Sequence, residues 1–252
     1  MALDGTLESA QRQERLLNTL WTTGSLRIKD AAVELGVSEM TIRRDLDELE
    51  RTHDIRRVRG GATSPGVRPF QGREKQNIKA KTRIAEKLTS LIPSHGNIAL
   101  DSSSTLLRLI PLLEASDDQY IVTNGLRTMD ALIARGTGRP VLTGGEPYPD
   151  EALLLGPLAC ATASALAYTR YFCSANAIHP RIGATHLSIE GTAIHQAFAS
   201  TSGELVLAVD SSKLGGVSTA VSFQLREVDY LVTELDPGDP RLEDFAGLTE
   251  IL

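Results

Sequence analysis

One stretch of the sequence decides how the N-terminal part folds: Ser38-Glu39-Met40-Thr41-Ile42-Arg43-Arg44-Asp45-Leu46. It follows Gly36, whose backbone freedom permits a tight turn, and it begins with Ser38, a good N-cap for a helix. Ile42, Leu46 and Leu49 recur at helical spacing, which defines one buried face. The pattern predicts the second helix of a helix-turn-helix.

The other side chains of this predicted helix are typical of a helix that enters a DNA major groove. Residues at the N-terminal end of such a recognition helix reach base edges and flanking phosphates. Two alternatives stay open: the arginines also suit an ordinary solvated helix face, and Met40 also suits a cap on the core. The residues that we expect to contact DNA are Ser38, Met40, Thr41, Arg43 and Arg44.

The flanking segments predict a winged helix-turn-helix over residues 1–62. A first packing helix is expected over residues 8–22, a second over Ile28–Leu35 and the third over Glu39–Thr52. The next residues, 55–59, alternate apolar and basic side chains like a strand, and the pattern breaks at a diglycine. The arginines of this wing would lie along DNA phosphates, which adds affinity without sequence information. They are Arg56, Arg57 and Arg59.

Charge is distributed unevenly along the chain. The net charge is −6, yet residues 51–87 hold eleven Lys and Arg against three Asp and Glu, whereas residues 88–252 hold nine against nineteen. Because phosphate attraction is screened within about 10 Å at ordinary salt, regional charge decides nucleic-acid affinity. We expect the basic block to grip the DNA backbone, although it would also suit a solvated linker. The acidic remainder argues against a second nucleic-acid surface.

Composition favours a cytoplasmic globular protein. Hydrophobic residues make up 41% of the 252, no apolar run reaches the roughly 18 residues of a membrane span, and the N-terminus lacks a signal-peptide block. Cys160 and Cys173 are expected to be reduced thiols. A metal site at His179, His186 and His195 is disfavoured, because their spacing matches no helical or finger pattern. We expect no membrane partner, no metal and no cofactor.

A linker is expected over residues 63–74, and the rest of the chain, 75–252, shows a different pattern of apolar and polar residues. Short apolar runs alternate with helical stretches, which predicts an α/β domain with a mostly parallel sheet and helices on both faces. In such sheets, ligands bind beyond the carboxyl ends of the strands, where this chain places small and polar residues. The predicted strands are residues 97–100, 120–123, 140–142, 171–174, 205–209 and 230–232.

Together these motifs resemble the DeoR family of bacterial transcriptional regulators. The resemblance spans roughly residues 10–235 and rests on the stretch 38–46, Val58-Arg59-Gly60-Gly61-Ala62, Ile98-Ala99-Leu100-Asp101, Val122-Thr123-Asn124, Gly144-Gly145, Ser174-Ala175-Asn176 and Asp210-Ser211-Ser212-Lys213. It implies a winged-helix domain joined to a sensor domain similar to sugar-phosphate isomerases and CoA transferases. It also implies a homodimer or homotetramer that binds operator DNA, represses a sugar or polyol catabolic operon and senses a phosphorylated intermediate.

The predicted sensor loops suit an anionic ligand. Ser103, Ser104 and Thr105 precede a helix expected over residues 106–113, and a helix N-terminus binds phosphate. Lys213 would add a point charge, and the two asparagines would orient sugar hydroxyls. Three alternatives stay open: Asp101 only caps that helix, Thr123 and Asn124 only form turns, and Lys213 is an ordinary surface lysine. The effector-binding residues that we predict are Asp101, Ser103, Ser104, Thr105, Thr123, Asn124, Gly144, Gly145, Asn176 and Lys213.

The chain departs from the family pattern within this pocket. Ser103 stands where the family usually has glycine, and Gly191 and His195 stand where it usually has glutamate and lysine. A histidine in place of lysine loses most of its positive charge at neutral pH. We therefore expect a pocket that differs from those of relatives, with a different small metabolite or a degenerate pocket as the alternatives to a sugar phosphate.

The competing function is an isomerase or transferase that uses the same crevice. Asp101 or Glu190 would be its base and Lys213 its electrophile. An enzyme has no need of a DNA-reading domain, and the sequence has no nucleophile elbow or P-loop pattern. A purely structural or protein-interaction module conflicts with polar motifs gathered at strand ends. The sequence therefore favours a regulator.

Overall fold

The chain divides into two compact units, Met1–Arg68 and Pro69–Leu252. The computed structural model describes residues 2–23, 25–52, 55–63, 70–114, 118–148 and 151–252. Half of the predicted linker, residues 64–69, lies outside the described residues. Within the described ranges, no helix combines the length and the apolar character needed to cross a membrane.

The N-terminal unit is a winged helix-turn-helix. Its helices are α1 (Ala2–Thr23), α2 (Ile28–Leu35) and α3 (Glu39–Thr52), and its strands are β1 (Ser25–Arg27), β2 (Arg56–Val58) and β3 (Gly61–Thr63). The strands form an antiparallel sheet in the order β1-β3-β2. The predicted bounds of α2 and α3 are confirmed, whereas α1 is longer than predicted and β1 and β3 were not predicted.

The local signals that predicted α3 act as expected. Gly36 ends α2 in the left-handed conformation, with φ of 64°. The Ser38 hydroxyl accepts a hydrogen bond from the Thr41 backbone N–H at 3.1 Å, so it caps α3. Ile42 and Leu46 are fully buried against the leucines of α1, which leaves the opposite side of α3 in solvent.

The C-terminal unit contains a seven-stranded, all-parallel sheet in the order β15-β14-β12-β9-β4-β5-β6. The predicted mostly parallel α/β fold is confirmed, since all six predicted strands belong to this sheet. The seventh strand, at the C-terminus, was not predicted. The strands are β4 (Ile98–Leu100), β5 (Tyr120–Thr123), β6 (Arg139–Leu142), β9 (Tyr168–Cys173), β12 (Ser202–Ala208), β14 (Tyr230–Val232) and β15 (Glu250–Ile251).

Helices cover both faces of the sheet because successive strand residues alternate between two cores. In β9, Tyr171 and Cys173 face one core and Phe172 faces the other. Helices α7 (Pro157–Ser164) and α8 (Ile189–Ala199) pack on the first face. Helices α5 (Ile78–Leu88) and α6 (Leu126–Arg135) pack on the second.

In the described part of the C-terminal unit, five short strands lie outside the seven-stranded sheet. A hairpin pairs β7 (Glu146–Tyr148) with β8 (Leu153–Leu155), and an antiparallel sheet joins β10 (Ala177–His179), β11 (Gly183–His186) and β13 (Ala220–Phe223). None of the five was predicted.

Two predictions about local structure are wrong. The helix expected over residues 106–113 is two 3-10 turns, Leu106–Arg108 and Ile110–Leu112, and Pro111 supplies no backbone N–H to continue a helix. The linker expected over residues 63–74 is shorter, since Thr63 ends β3 and Phe70–Glu74 forms a short helix, α4.

Candidate functional site

The outer face of α3 presents the side chains that were predicted to contact DNA. Ser38, Arg43 and Arg44 are exposed, and Thr41 is half-buried. Met40 is 59% exposed, so the alternative in which it caps the core is wrong. Arg43 forms a loose ion pair with Glu39 at 3.6 Å, four residues earlier on the same helix. This surface has the chemistry to contact base edges and phosphates.

One residue of the 38–46 stretch points inward instead. Asp45 is buried, and its carboxylate accepts hydrogen bonds from Arg12 of α1: Nε to Oδ2 at 2.5 Å and Nη2 to Oδ1 at 3.2 Å. The pair ties the recognition helix to the first helix. Sequence reasoning missed it because the partners are 33 residues apart.

The wing is fastened to α3 through one of its predicted DNA contacts. Arg57 donates from Nη1 to the Arg43 carbonyl at 3.3 Å and pairs with Asp47 at the same distance, and its backbone N–H donates to Glu50 Oε1 at 2.7 Å. Its side chain is only 21% exposed, so it braces the wing rather than facing outward. Arg56 and Arg59 are exposed, as a role along phosphates requires.

In the C-terminal unit, the loops that follow β4 and β9 meet at the carboxyl edge of the sheet. Asp101 binds both loops, since Oδ1 accepts from the Ser103 N–H and Oδ2 from the Ser174 N–H, each at 2.7 Å. Lys213, after β12, donates from Nζ to Ser174 Oγ at 3.2 Å and to the Ala175 carbonyl at 2.5 Å. The structure thus brings Asp101 and Lys213 to one place, as predicted.

A buried lysine that sequence reasoning missed completes this edge. Lys81 of α5 is 4% exposed and donates from Nζ to Ser104 Oγ at 3.0 Å and to the Arg73 carbonyl. Burial, followed by the charge of Lys213, lowers the pKa of Lys81 to about 7, although Asp210 opposes the shift. Burial also lowers the pKa of Lys213. Lys81 lies within a helix, away from the loop motifs that drew attention in the sequence.

Two arginines add to this positive charge. Arg73 and Arg108 both act on Lys81 electrostatically, and the buried Nε of each has no hydrogen-bond partner among the residues that the structure describes. Arg108 donates from Nη2 to the Glu74 carbonyl at 3.4 Å, and Arg73 forms an ion pair with buried Glu151. We call Arg73, Lys81, Arg108 and Lys213 the cation cluster. Two of its members, Arg73 and Lys81, belong to the basic run that was predicted to grip DNA.

A cavity of about 430 Å³ opens beside the N-terminus of α5. Asp210 lies on its wall, caps the turn that holds Lys213 by accepting from the Ser212 N–H at 3.2 Å, and accepts from Asn77 Nδ2 at 2.9 Å. A ligand in this space would meet basic side chains, hydroxyls and two carboxylates. The cavity is lined by Lys75, Asn77, Ile78, Lys79, Ala80, Asp210, Ser211, Ser212 and Glu234.

Several predicted effector residues already have structural partners. Thr123 Oγ1 accepts from the Gly125 N–H, and Asn124 Nδ2 donates to the Leu154 carbonyl at 3.1 Å, which supports the turn-forming alternative for both. Asn176 Oδ1 accepts from the Leu187 N–H at 3.3 Å, and Ser103 Oγ accepts from Leu106 N–H at 3.1 Å. The loop that contains Ser103 is followed only by 3-10 turns, so it offers no helix N-terminus that could bind a phosphate.

The diglycine after β6 serves packing. Gly144 and Gly145 both have positive φ, and a Cβ at Gly145 would overlap the Leu155 carbonyl oxygen and crowd Ala159. Gly144 and Gly145 were predicted to bind the effector, and the structure packs β8 and α7 against Gly145. Thr105, predicted beside Ser104, is also buried.

Across the described ranges, no group of three or more His, Cys, Asp or Glu side chains is arranged to hold a metal ion. The candidate bases of the enzymatic alternative are also poorly placed. Glu190 is exposed on the first turn of α8, and Asp101 is held by two backbone N–H groups.

A winged helix with exposed arginines and an α/β unit with clustered cations at the carboxyl edge of its sheet fit a DNA-binding protein with a sensor. The DeoR-like helix-turn-helix domain model matches residues 12–66, and the DeoR C terminal sensor domain model matches residues 76–235. The chain belongs to the DeoR family and is a DNA-binding transcriptional regulator.

Relatives agree with this assignment over nearly the full length. The lactose phosphotransferase system repressor of Lactococcus lactis subsp. lactis is 30% identical, with 98% of this chain and 99% of the relative covered. The HTH-type transcriptional regulator GolR of Listeria innocua is 29% identical, with 89% and 90% covered. A solved ribose 5-phosphate isomerase A from Neisseria gonorrhoeae is 21% identical with a TM-score of 0.35, covering 53% of this chain and 52% of its own.

Proposed function

We propose that this regulator represses a sugar or polyol catabolic operon and that a phosphorylated sugar relieves the repression. The cation cluster is the observation that carries the proposal. Four cations lie close together here, with Lys81 buried and the other three half-buried, and such a group is unfavourable without compensating negative charge. Glu151 pairs with Arg73, and the carboxylates of Asp101 and Asp210 are engaged in hydrogen bonds. A phosphate group would supply that charge. The name of one relative, a lactose phosphotransferase system repressor, supports a sugar-linked ligand.

Within this proposal, Lys81 and Lys213 bind the phosphate, and the Ser104 hydroxyl adds a donor. Both lysines have pKa values lowered chiefly by burial, and the negative charge of a bound anion would raise these values again, so that both lysines are protonated in the complex. Asp210 orients the site by holding Asn77 and the turn of Lys213.

The same site offers a route from ligand to DNA. Helix α4 is the first described segment after residues 64–69, and it carries Arg73, whose carbonyl binds Lys81 and whose guanidinium binds Glu151. A phosphate that attracts Lys81 and Arg73 competes with both contacts and so shifts α4. Regulation then requires that the ligand bind one arrangement of α4 more tightly than the other.

On the DNA side, we propose a cytoplasmic homodimer or homotetramer that places two copies of α3 in successive major grooves of an operator. Half-sites about one helical turn apart match such a two-fold arrangement. Arg44 and Met40 would contact base edges, with Arg56 and Arg59 on the phosphates.

Calorimetric titration tests the ligand half of the proposal. Wild type and Lys81→Met are titrated with inorganic phosphate, sulfate and a panel of hexose and pentose phosphates. We expect binding by wild type and a loss of about tenfold or more in Lys81→Met, since a charged hydrogen bond is worth about 1.5–3 kcal/mol. Lys87→Met is the matched control, because Lys87 lies on the same helix but binds the Leu235 carbonyl. Equal affinity in all three proteins would rule out the cation cluster as the phosphate site.

A further inference from the structure

Two imidazoles, one buried and one half-buried, stack near the ligand edge of the sensor unit. His186, at the end of β11, and His195, on α8, have ring centroids 4.0 Å apart and planes 27° apart. His195 Nδ1 lies 2.6 Å from the Tyr171 hydroxyl. His186 is 7% exposed, and its buried Nε2 has no hydrogen-bond partner within the described part of the chain. A buried polar atom without a partner is uncommon and indicates a missing ligand or water.

The position of His186 connects this nitrogen to the proposed site. The residues on either side of it are bound by Asn176, whose N–H donates to the Thr185 carbonyl at 3.0 Å and whose Oδ1 accepts from the Leu187 N–H. The preceding residue, Ala175, accepts from Lys213 Nζ. One short loop therefore contacts both the strand end that carries His186 and the lysine of the cation cluster.

The chemistry of the two histidines, His186 and His195, suits hydrogen bonding to an uncharged group of a ligand. Burial lowers the pKa of both histidines, and for His186 the neighbouring His195 and Lys213 lower it further, so both rings are neutral at neutral pH. Burial raises the pKa of Tyr171 well above its ordinary value, so its hydroxyl keeps its proton and can donate to His195 Nδ1. A neutral imidazole offers one donor and one acceptor, which match a hydroxyl or a carbonyl better than a second anion.

We propose that His186, held in place by His195 and Tyr171, determines which sugar the sensor accepts by hydrogen bonding to an uncharged hydroxyl or carbonyl group of the ligand. The inference rests on the proposed function, in which the cation cluster holds the phosphate. The ligand class becomes a singly phosphorylated sugar or polyol, with its second end free of charge. A site built to bond such a group rejects analogues that lack it, because its own polar atom is then left without a partner.

The test compares affinities for a sugar phosphate and for inorganic phosphate. His186→Phe keeps the ring volume and removes both nitrogens, His186→Gln restores a polar end, and His179→Phe is the control on β10 of the same small sheet. The tightest sugar phosphate from a hexose and pentose panel is titrated beside inorganic phosphate. We expect the sugar-to-phosphate affinity ratio to fall about tenfold or more in His186→Phe, to recover in part in His186→Gln and to stay unchanged in the control.

A spectroscopic readout separates a ligand contact from a packing effect. In long-range 1H–15N spectra, the sugar phosphate should shift the His186 Nε2 resonance of wild type, and inorganic phosphate should shift it less. The inference would be overturned by an unchanged sugar-to-phosphate affinity ratio in His186→Phe, or by an Nε2 resonance that does not shift when the sugar phosphate binds. Either result would leave the phosphate site intact. If wild type binds no phosphorylated compound at all, the proposed function fails and the inference with it.

Discussion

Arg12 of α1 binds both carboxylate oxygens of Asp45 of α3, and the pair lies inside the helix-turn-helix. Asp45 directly follows Arg44, which is predicted to contact DNA and is exposed. A two-point contact restrains the rotation of α3 about its own axis as well as its distance from α1. Through this pair, α1 fixes the direction in which the exposed side chains of α3 point.

Replacing Arg12 with alanine should destabilise the N-terminal unit. The change leaves a buried carboxylate without its cation, for which a loss of about 3 kcal/mol is expected. Urea unfolding of the full chain, followed by the fluorescence of its single tryptophan, Trp21, measures the loss. Arg15→Ala removes an exposed arginine of the same helix and is the control. Equal stability of the two variants would show that the buried pair contributes nothing.

Replacing Arg44 with alanine should strongly weaken sequence-specific DNA binding while the fold persists. A base contact by arginine is worth about 1–3 kcal/mol, so specific affinity should fall by roughly 10- to 100-fold. Fragments that the wild type selects from genomic DNA serve as probes in a gel-shift assay. Arg15→Ala, which removes an exposed arginine of α1, should retain specific binding. Unchanged binding in Arg44→Ala would place the recognition surface elsewhere.

Much of the fold could be predicted from the sequence because its signals are local. Gly36 and Ser38 fix the adjacent ends of α2 and α3, and continuous apolar runs mark the strands of the parallel sheet. The three-residue strands β1 and β3 have no such continuous apolar run. They form because the chain brings Leu26 opposite Ala62, a pairing that only tertiary structure determines.

The site was harder to predict because burial and distant pairing decide it. Asp101 and Lys213 were found as polar residues at strand ends, where parallel sheets bind ligands. Lys81 sits in the middle of a helix, and nothing local distinguishes it from an exposed lysine. His195 was noticed only as a departure from the family, and its stacking on His186 joins two elements that the sequence does not connect. Asn124 was chosen for its chemistry, although its amide holds β8.

Anion affinity should depend on pH through Lys81. Its pKa of about 7 in the ligand-free protein lies below the ordinary 10.5, and a bound anion raises it again. Below pH 7 the lysine is already charged; as the pH rises through 7, binding must take up a proton, so affinity falls by up to about tenfold per pH unit. Sulfate is the suitable probe, because its charge is constant between about pH 6 and pH 9.

Calorimetry in buffers of different ionisation enthalpy counts the protons taken up with sulfate. Lys81→Arg stays charged throughout this range and should show little of the pH dependence that Lys81 causes. A wild-type affinity for sulfate that rises between pH 7 and pH 9 would contradict the assignment of Lys81 to the site.

Replacing Gly145 with alanine should lower the melting temperature. Its φ of 113° disfavours any side chain, and the added Cβ would overlap the Leu155 carbonyl oxygen, for which overpacking costs about 1–3 kcal/mol beyond the backbone strain. Gly136→Ala is the matched control: its φ is also positive, at 67°, but no neighbouring atom lies within 4 Å of a Cβ there. If both variants have the same melting temperature, close packing does not explain the glycine at position 145.

The measurement that tests the whole account most directly is a DNA-binding titration with and without ligand. Full-length wild type and Lys81→Met are titrated onto a fluorescent operator fragment, in the absence and presence of the tightest-binding sugar phosphate. The account predicts that the ligand weakens wild-type DNA binding by about tenfold, a coupling of about 1.4 kcal/mol, and leaves Lys81→Met on the DNA. A wild-type Kd for DNA that does not change when the ligand is bound, or an equal change in Lys81→Met, would contradict it.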